Sequence, residues 1–378
     1  MTDILEILRF IDNNEGASFF YTPLKNGDEV SYLFKSSSIS IECDQKRNIE
    51  ETLSRIDELK EEYPFAYGYI AYEVGYAFEE RLEKLLDDRS GNKLISFHFC
   101  DDESVEKIKT KDVDFSRIKG LLTAAKTEIN NFKLNTDYNT YKKNIQKIKD
   151  LIAKGDTYQV NYTLKSHFNF DGDVAELFLQ LLFNQSASYT AIINDIDRFV
   201  ISISPELFFK TEGDIITSKP MKGTIRRGRN IDDDNLQKRK LANSKKDKAE
   251  NIMIVDLLRN DLGKICEINS VSAHPVYDIE RYETVYQMTS TVKGKLRERS
   301  FRTIIKSLFP CGSITGAPKI RTMKIIKELE LEERGVYTGT IGIIERGDYT
   351  FNIPIRTITI DKKSTKGELG IGGGIVWD

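Results

Sequence analysis

Strand-forming segments follow one another along most of this chain, with few helical runs between them. Alternating or β-rich stretches cover residues 157–170, 199–209 and 214–217, and hairpin-like strands at 339–345, 349–361 and 369–377 close the sequence. A doubly wound parallel sheet needs a helical crossover between successive strands, and this order does not supply them. It predicts an α+β fold of antiparallel sheets covered by helices.

Four helices stand out. One spans residues 49–62, with Leu53, Ile56 and Leu59 on a single face. A second carries Tyr141, Ile145, Ile148 and Ile152, with Gly155 as its stop. A third covers residues 244–258 and sets Asp247 and Glu250 three apart on one face. In the fourth, Pro318 takes the first helical position, Ile320, Met323, Ile326 and Leu329 form the buried stripe, and Gly335 marks the end. The strand at 157–170 alternates Tyr158, Val160, Tyr162 and Leu164 against Gln159, Asn161 and Thr163, an uncharged polar face suited to the edge of a wet cavity. Residues 67–76 read as a strand rich in Gly and Tyr. The charged, apolar-poor run 103–116 is the best internal boundary, dividing 1–112 from 113–378. With no repeat and no long linker, the two parts form one fused architecture.

Composition narrows the chemistry. The 378 residues contain 39% hydrophobic and 30% charged residues with a net charge of −3, a balance that gives nucleic acid no basic surface. The first residues are acidic and hold no long apolar run, so neither a signal peptide nor a membrane span is expected. Cys43, Cys100, Cys266 and Cys311 are scattered without a CxxC pair, which predicts reduced thiols and a cytoplasmic location. The three histidines, His98, His167 and His274, argue against zinc, copper or non-haem iron. A metal here should be a hard ion held by carboxylates, most plausibly magnesium. The absence of a GxSxG elbow argues against a Ser-His-Asp hydrolase.

Several polar residues occupy places where surface chemistry alone would not put them. Lys222, between Pro220 and Gly223, sits at a bend that aims its amine into a cleft, where desolvation would make it a nucleophile. Glu206 ends a strand at Ser204-Pro205 and is placed to act as a general acid. The loop from Gly312 to Lys319 feeds a helix and offers backbone amides to an anion; its order is not that of a P-loop, so a carboxylate is preferred to a nucleotide. Arg356 is a charge inside an apolar run and calls for a carboxylate partner. The glycines from Gly370 to Gly374 bring bare backbone close to another strand or a ligand.

Together, the runs SPELFF, KPMKGTIRRG, AENIMIVDLLRNDLGKI, ERYETVYQMTSTVKG, FPCGSITGAPKIRTM, RGVYTGTIG, IPIRT and GIGGGIV resemble the chorismate-utilising enzymes, in the family's order over about residues 137–377. The N-terminal part matches through Phe19-Phe-Tyr-Thr-Pro23 and the Gly-Tyr strand. The resemblance implies two facing, largely antiparallel sheets, as in anthranilate synthase component I. Three positions separate the subfamilies. Water-adding isochorismate and salicylate synthases carry a lysine where Gln159 stands, and glutamine is no general base. Anthranilate synthases typically carry alanine where Lys222 stands and a histidine where Gln287 stands. All three point to the member that aminates chorismate at C4 without releasing pyruvate, for para-aminobenzoate and folate synthesis. The alternatives are anthranilate synthase component I and a catalytically inactive chorismate-binding subunit.

The same resemblance implies roles. Glu206 protonates the departing C4 hydroxyl while Lys222 adds at C2, and ammonia then attacks C4. Arg356, Tyr337 and the amides of Thr315 and Gly373 hold the carboxylates, and Gln159, Gly223, Thr224 and Gly372 also lie at the substrate. Glu250, with Asp247, holds Mg2+. A separate glutamine amidotransferase subunit supplies the ammonia. In the family a further helix past GGGIV bears another magnesium-binding glutamate, which this sequence, ending at Asp378, lacks; weak metal affinity is expected. Without a Leu-Leu-Glu-Ser run, tryptophan control is not expected.

Overall fold

Two prolines set the path of this chain. Proline has no N–H to give a central ladder, so a strand cannot run through it. In the computed structural model, which describes residues 2–24, 29–86, 92–118, 127–185 and 187–377, Pro205 and Pro354 each cut a strand-like run in two. The stretch expected as one strand at 199–209 is Arg198–Ser204 followed by Leu207–Glu212, and that at 349–361 is Asp348–Asn352 followed by Thr357–Asp361. The halves lie in different sheets. The two crossings bind each other: the Ser204 hydroxyl donates to the Ile353 carbonyl at 2.6 Å, and the Ile353 amide to the Glu206 carbonyl at 3.0 Å.

The first sheet runs, in order, through Gly316–Ala317, Gln159–Asp171, Lys366–Ile375, Thr357–Asp361, Arg198–Ser204, Tyr189–Asn194, Ser18–Tyr21, Val30–Phe34 and Val105–Lys109. The second runs through Ser272–Ala273, Val292–Lys295, Ile215–Lys219, Leu207–Glu212, Asp348–Asn352, Thr340–Glu345, Phe65–Ile70, Ile95–Cys100 and Ile39–Cys43. The sheets face each other through a layer to which the first gives Phe34, Ala191, Ile193 and Val200 and the second gives Phe65, Tyr67, Tyr69 and Ile341. The α+β arrangement of facing, antiparallel sheets is therefore as expected. Strands from either side of residue 112 share both sheets, so that boundary lies within one architecture.

Helices cover the outer faces. Ile4–Asn13 and Val174–Asn184, capped by Asp3 and Asp173, close the first sheet through Ile7, Leu8, Ile11 and Phe178, whose burial stabilises by roughly 1.5–3 kcal/mol each. Ile49–Glu62, Phe301–Leu308 and Lys319–Leu329 contribute to the second sheet's core. The second predicted helix is Tyr138–Ala153, with Gly155 at φ +76° beyond it. The third extends to Lys245–Gly263 and is capped by Ser244. Among the described residues no helix is long and apolar enough to cross a membrane.

Three local expectations need correction. The Gly-Tyr strand stops at Ile70, and Tyr72–Phe78 is a 3-10 helix whose first turn closes with the Val74 amide donating to the Ala71 carbonyl at 3.1 Å. The connector at 103–116 contains the edge strand Val105–Lys109; its charges are those of a sheet edge facing water. The helix after Pro318 ends at Leu329, so Gly335, at φ +65°, serves a later turn.

A small third sheet pairs Met221–Arg226 with Val285–Thr289 and the latter with Asp278–Arg281. It is pinned to the helix Ile231–Asn243, whose Asp234 takes a bidentate pair from Arg227 at 2.7 and 2.6 Å and a 2.7 Å bond from the Tyr286 hydroxyl. This sheet carries Lys222.

Candidate active site

Lys222 was expected at a turn; it lies instead in a β-bulge. Met221 pairs with Thr289 and Thr224 with Gln287, so Lys222 and Gly223 together oppose Met288 alone. Such an extra residue re-aims a side chain. Gly223 makes it possible: its φ is +88°, and a Cβ there would stand 2.8 Å from the Asp247 Cβ. The Lys222 Nζ donates to the Ser313 carbonyl at 3.0 Å and lies 3.8 Å from where a Cβ on Gly374 would be.

The Ser313 hydroxyl donates to Glu206 Oε1 at 2.8 Å. One residue thus touches both the amine and the acid. Glu206, positioned where Pro205 sends the chain between sheets, is 4% exposed. Burial raises its pKa, opposed by the Ser313 bond, the Lys222 charge and the Met221 backbone amide. A carboxyl shifted this way keeps its proton closer to neutrality, as a general acid must. Ser313 was read only as part of an anion loop; its link to Glu206 spans 107 positions of sequence, and local pattern has no signal for that.

Lys222, Gly223, Thr224, Glu206, Gln287 and Ser313 line a cavity of about 300 Å³, together with Asn161, Tyr337, Arg356, Gly372 and Gly373. Arg356 was read as part of a strand; it stands at the Pro354 crossing with φ +55°, and no carboxylate among the described residues pairs with it. The Tyr337 hydroxyl, pushed up to about 12 chiefly by burial, is a neutral donor. It lies 3.1 Å from where a Cβ on Gly372 would be, while a Cβ on Gly370 would overlap the Tyr337 ring. Beyond Leu369 the strand Lys366–Ile375 pairs, among the described residues, only with Gln159–Asp171, which leaves its other edge without a strand partner among them beside Gly372 and Gly373.

The Gly312–Lys319 loop is drawn differently from the expected open anion seat. The Thr315 amide donates to the Gly312 carbonyl at 3.2 Å and its hydroxyl to the Cys311 carbonyl at 2.9 Å, so Thr315 is spent on the turn and lies outside the cavity lining. Lys319 is held away by Asp261 at 2.6 Å. Gln159 is fully buried and both ends of its amide lack a partner; Nε2 is 3.2 Å from a Cβ position on Gly374. A buried amide left open costs about 1–3 kcal/mol, a cost a bound polar group would remove. The Gln159 face of its strand is buried like the Val160 face, and Tyr158, at 63% exposure, lies before the strand.

Asp247 and Glu250 share a face of Lys245–Gly263, and Asp247 packs against Gly223, the residue after Lys222. Among the described residues no three His, Cys, Asp or Glu side chains converge as a metal cage. Two carboxylates on one rigid helix still suit a hard ion that keeps water and takes ligand oxygens.

The fold and this cleft have known counterparts. Residues 18–378 match the chorismate binding enzyme family. The chain belongs to that family. Aminodeoxychorismate synthase component 1 of Bacillus subtilis is 30% identical over 391 residues, covering 94% of this chain and 81% of that protein. The Escherichia coli protein of the same name is 37% identical over 242 residues, covering 63% of this chain and 52% of its own length. This chain spans about half the length of the enterobacterial relatives it matches. Among solved structures, anthranilate synthase component I of Streptococcus pneumoniae superposes with a TM-score of 0.73 at 24% identity, covering 97% of this chain and 87% of that one. The menaquinone-specific isochorismate synthase of Escherichia coli gives 0.72 at 15%, covering 98% and 86%. At such identities these two share the fold.

Proposed function

We propose that this chain aminates chorismate at C4, giving 4-amino-4-deoxychorismate and water, as component I of an aminodeoxychorismate synthase. The observation that carries the reading is the shared contact at Ser313, whose carbonyl takes a hydrogen bond from Lys222 and whose hydroxyl donates one to Glu206. In sequence terms, Lys222, Gln159 and Gln287 all favour amination over water addition or anthranilate formation.

In this mechanism Glu206 gives its proton to the C4 hydroxyl, which leaves as water. The Lys222 amine adds at C2 as the double bond shifts, then returns its extra proton to the Glu206 carboxylate. Ammonia attacks C4, the double bond shifts back, and Lys222 leaves as a neutral amine by taking a proton from the new C4 ammonium. Holding nucleophile, acid and ring together makes these steps intramolecular. Arg356 and the Tyr337 hydroxyl would bind the carboxylates, with the strand edge at Gly372 and Gly373; Gln159, Gly223, Thr224 and the Thr315 turn would shape the rest. Asp247 and Glu250 would hold Mg2+, which when bound neutralises carboxylate charge. The ammonia would come from a separate glutamine amidotransferase, in keeping with the "component 1" in the relatives' names. Four buried cysteines scattered without a CxxC pair support a cytoplasmic setting, and residues 113–378 hold the cleft side chains.

Incubation with chorismate, Mg2+ and ammonium should yield 4-amino-4-deoxychorismate without pyruvate. Anthranilate with equal pyruvate would replace this reading by the anthranilate synthase one, and calorimetric binding without turnover would make the chain a binding subunit.

A further inference from the structure

Arg334 is 4% exposed and touches none of the atoms assigned to the chemistry, yet all five of its guanidinium N–H groups are used. Nε and one terminal nitrogen grip Glu330 at 2.9 and 2.7 Å. That nitrogen also donates to the Asn161 carbonyl at 2.7 Å, and the other donates to the Ile314 carbonyl at 2.8 Å and the Thr338 hydroxyl at 3.3 Å. The guanidinium stacks on Tyr72, 4.3 Å from the ring centre.

Its neighbours extend the grip. Glu330 accepts the Thr163 amide at 2.9 Å, and Glu73 accepts the amides of Arg334 and Gly335 at 2.7 and 3.0 Å. The three segments joined here are the strand at Asn161, the loop at Ile314 and the turn leading to Tyr337, and all three line the cavity. Ile314 follows Ser313, the residue that touches Lys222 and Glu206. The two prolines connect the sheets, but among the described residues Arg334 alone binds these three walls to one another at a single group.

We propose that Arg334 is a positioning residue that locks the three walls of the cleft in register, with Glu330 and Glu73 as its anchors. The kinetic part of this inference rests on the proposed amination. A buried, fully bonded fork cannot be replaced by lysine, which has three donors on a flexible stem and no plane to stack. Once released, the walls shift relative to one another, and misplacement of about 1 Å costs on the order of 10²-fold in turnover.

The test pairs hydrogen exchange, which needs no substrate, with kinetics. In the wild type the amides of Thr163, Thr315, Arg334 and Gly335 should open together, with one exchange rate. In Arg334→Lys, exchange at Asn161, Thr163 and Thr315 should speed up by about tenfold or more while Ile95–Cys100 stays protected. With chorismate and ammonium, kcat should fall roughly 10²-fold, more than KM rises. Independent opening of the three segments in the wild type would overturn the lock, as would uniform acceleration throughout the variant or unchanged kinetics in an active protein. If Arg334→Lys does not fold, the wild-type pattern decides. A wild type that never turns over chorismate would defeat the amination reading alone, since exchange still reads the lock.

Discussion

The Ser313 hydroxyl donates to Glu206 at 2.8 Å, from a residue whose own carbonyl receives the Lys222 amine. The proposed acid and the proposed nucleophile therefore meet at one loop residue, and altering its hydroxyl should tune Glu206 while sparing the lysine contact. The bond stabilises ionised Glu206, so Ser313→Ala should raise the acid's pKa further. The alkaline fall of kcat/KM should then move to higher pH. Glu206→Gln should lose roughly 10²–10⁴-fold in kcat. A pH profile unmoved in Ser313→Ala, or a glutamine variant within a few-fold of wild type, would remove Glu206 from the acid's role.

Gly223→Ala tests the bulge. The residue's φ of +88° disfavours any Cβ, and the new methyl would meet the Asp247 Cβ at 2.8 Å. A cost on the order of 1–3 kcal/mol in urea unfolding is expected, with a larger proportional loss of turnover because Lys222 shifts. A variant as stable and active as wild type would contradict this account of the bulge.

Glu73 gives the protein a pH-dependent stability. Burial, aided by Glu333, raises its pKa from 4.5 to about 7. The folded protein thus binds a proton that the unfolded chain has released, so this contribution is full below about pH 4.5 and is lost as pH rises through 7. At about 1.4 kcal/mol per pH unit it reaches at most about 3.5 kcal/mol. Glu73→Gln should flatten urea-midpoint stability across that window; an unchanged slope would assign it to other groups.

The folding pattern of much of the molecule was legible locally. Ile49–Glu62 has the bounds its apolar spacing predicts, and Gly155 stops its helix because only a glycine accepts φ +76° cheaply. Where sequence reading overran, at 199–209 and 349–361, the prolines that split the strands were visible, but not that each half joins a different sheet. Arg334, Ser313 and Glu73 were illegible as site residues for another reason. Their partners Asn161, Glu206 and Gly335 lie 173, 107 and 262 positions away, and spacing carries no information about such contacts.

Magnesium provides a further check. Glu250→Gln should raise the Mg2+ concentration for half-maximal activity by about tenfold or more, with the fold unchanged by circular dichroism. Activity that survives exhaustive chelation, or ignores the substitution, would remove both Glu250 and Asp247 from metal binding.

Lys222→Ala provides the most direct measurement of the central claim. Assayed with chorismate, Mg2+ and ammonium, the variant should bind chorismate within a few-fold of wild type by calorimetry while C4 amination falls on the order of 10³-fold or more, a loss in kcat with little change in KM. Wild-type amination by Lys222→Ala would contradict the account and reduce Lys222 to a residue of the bulge.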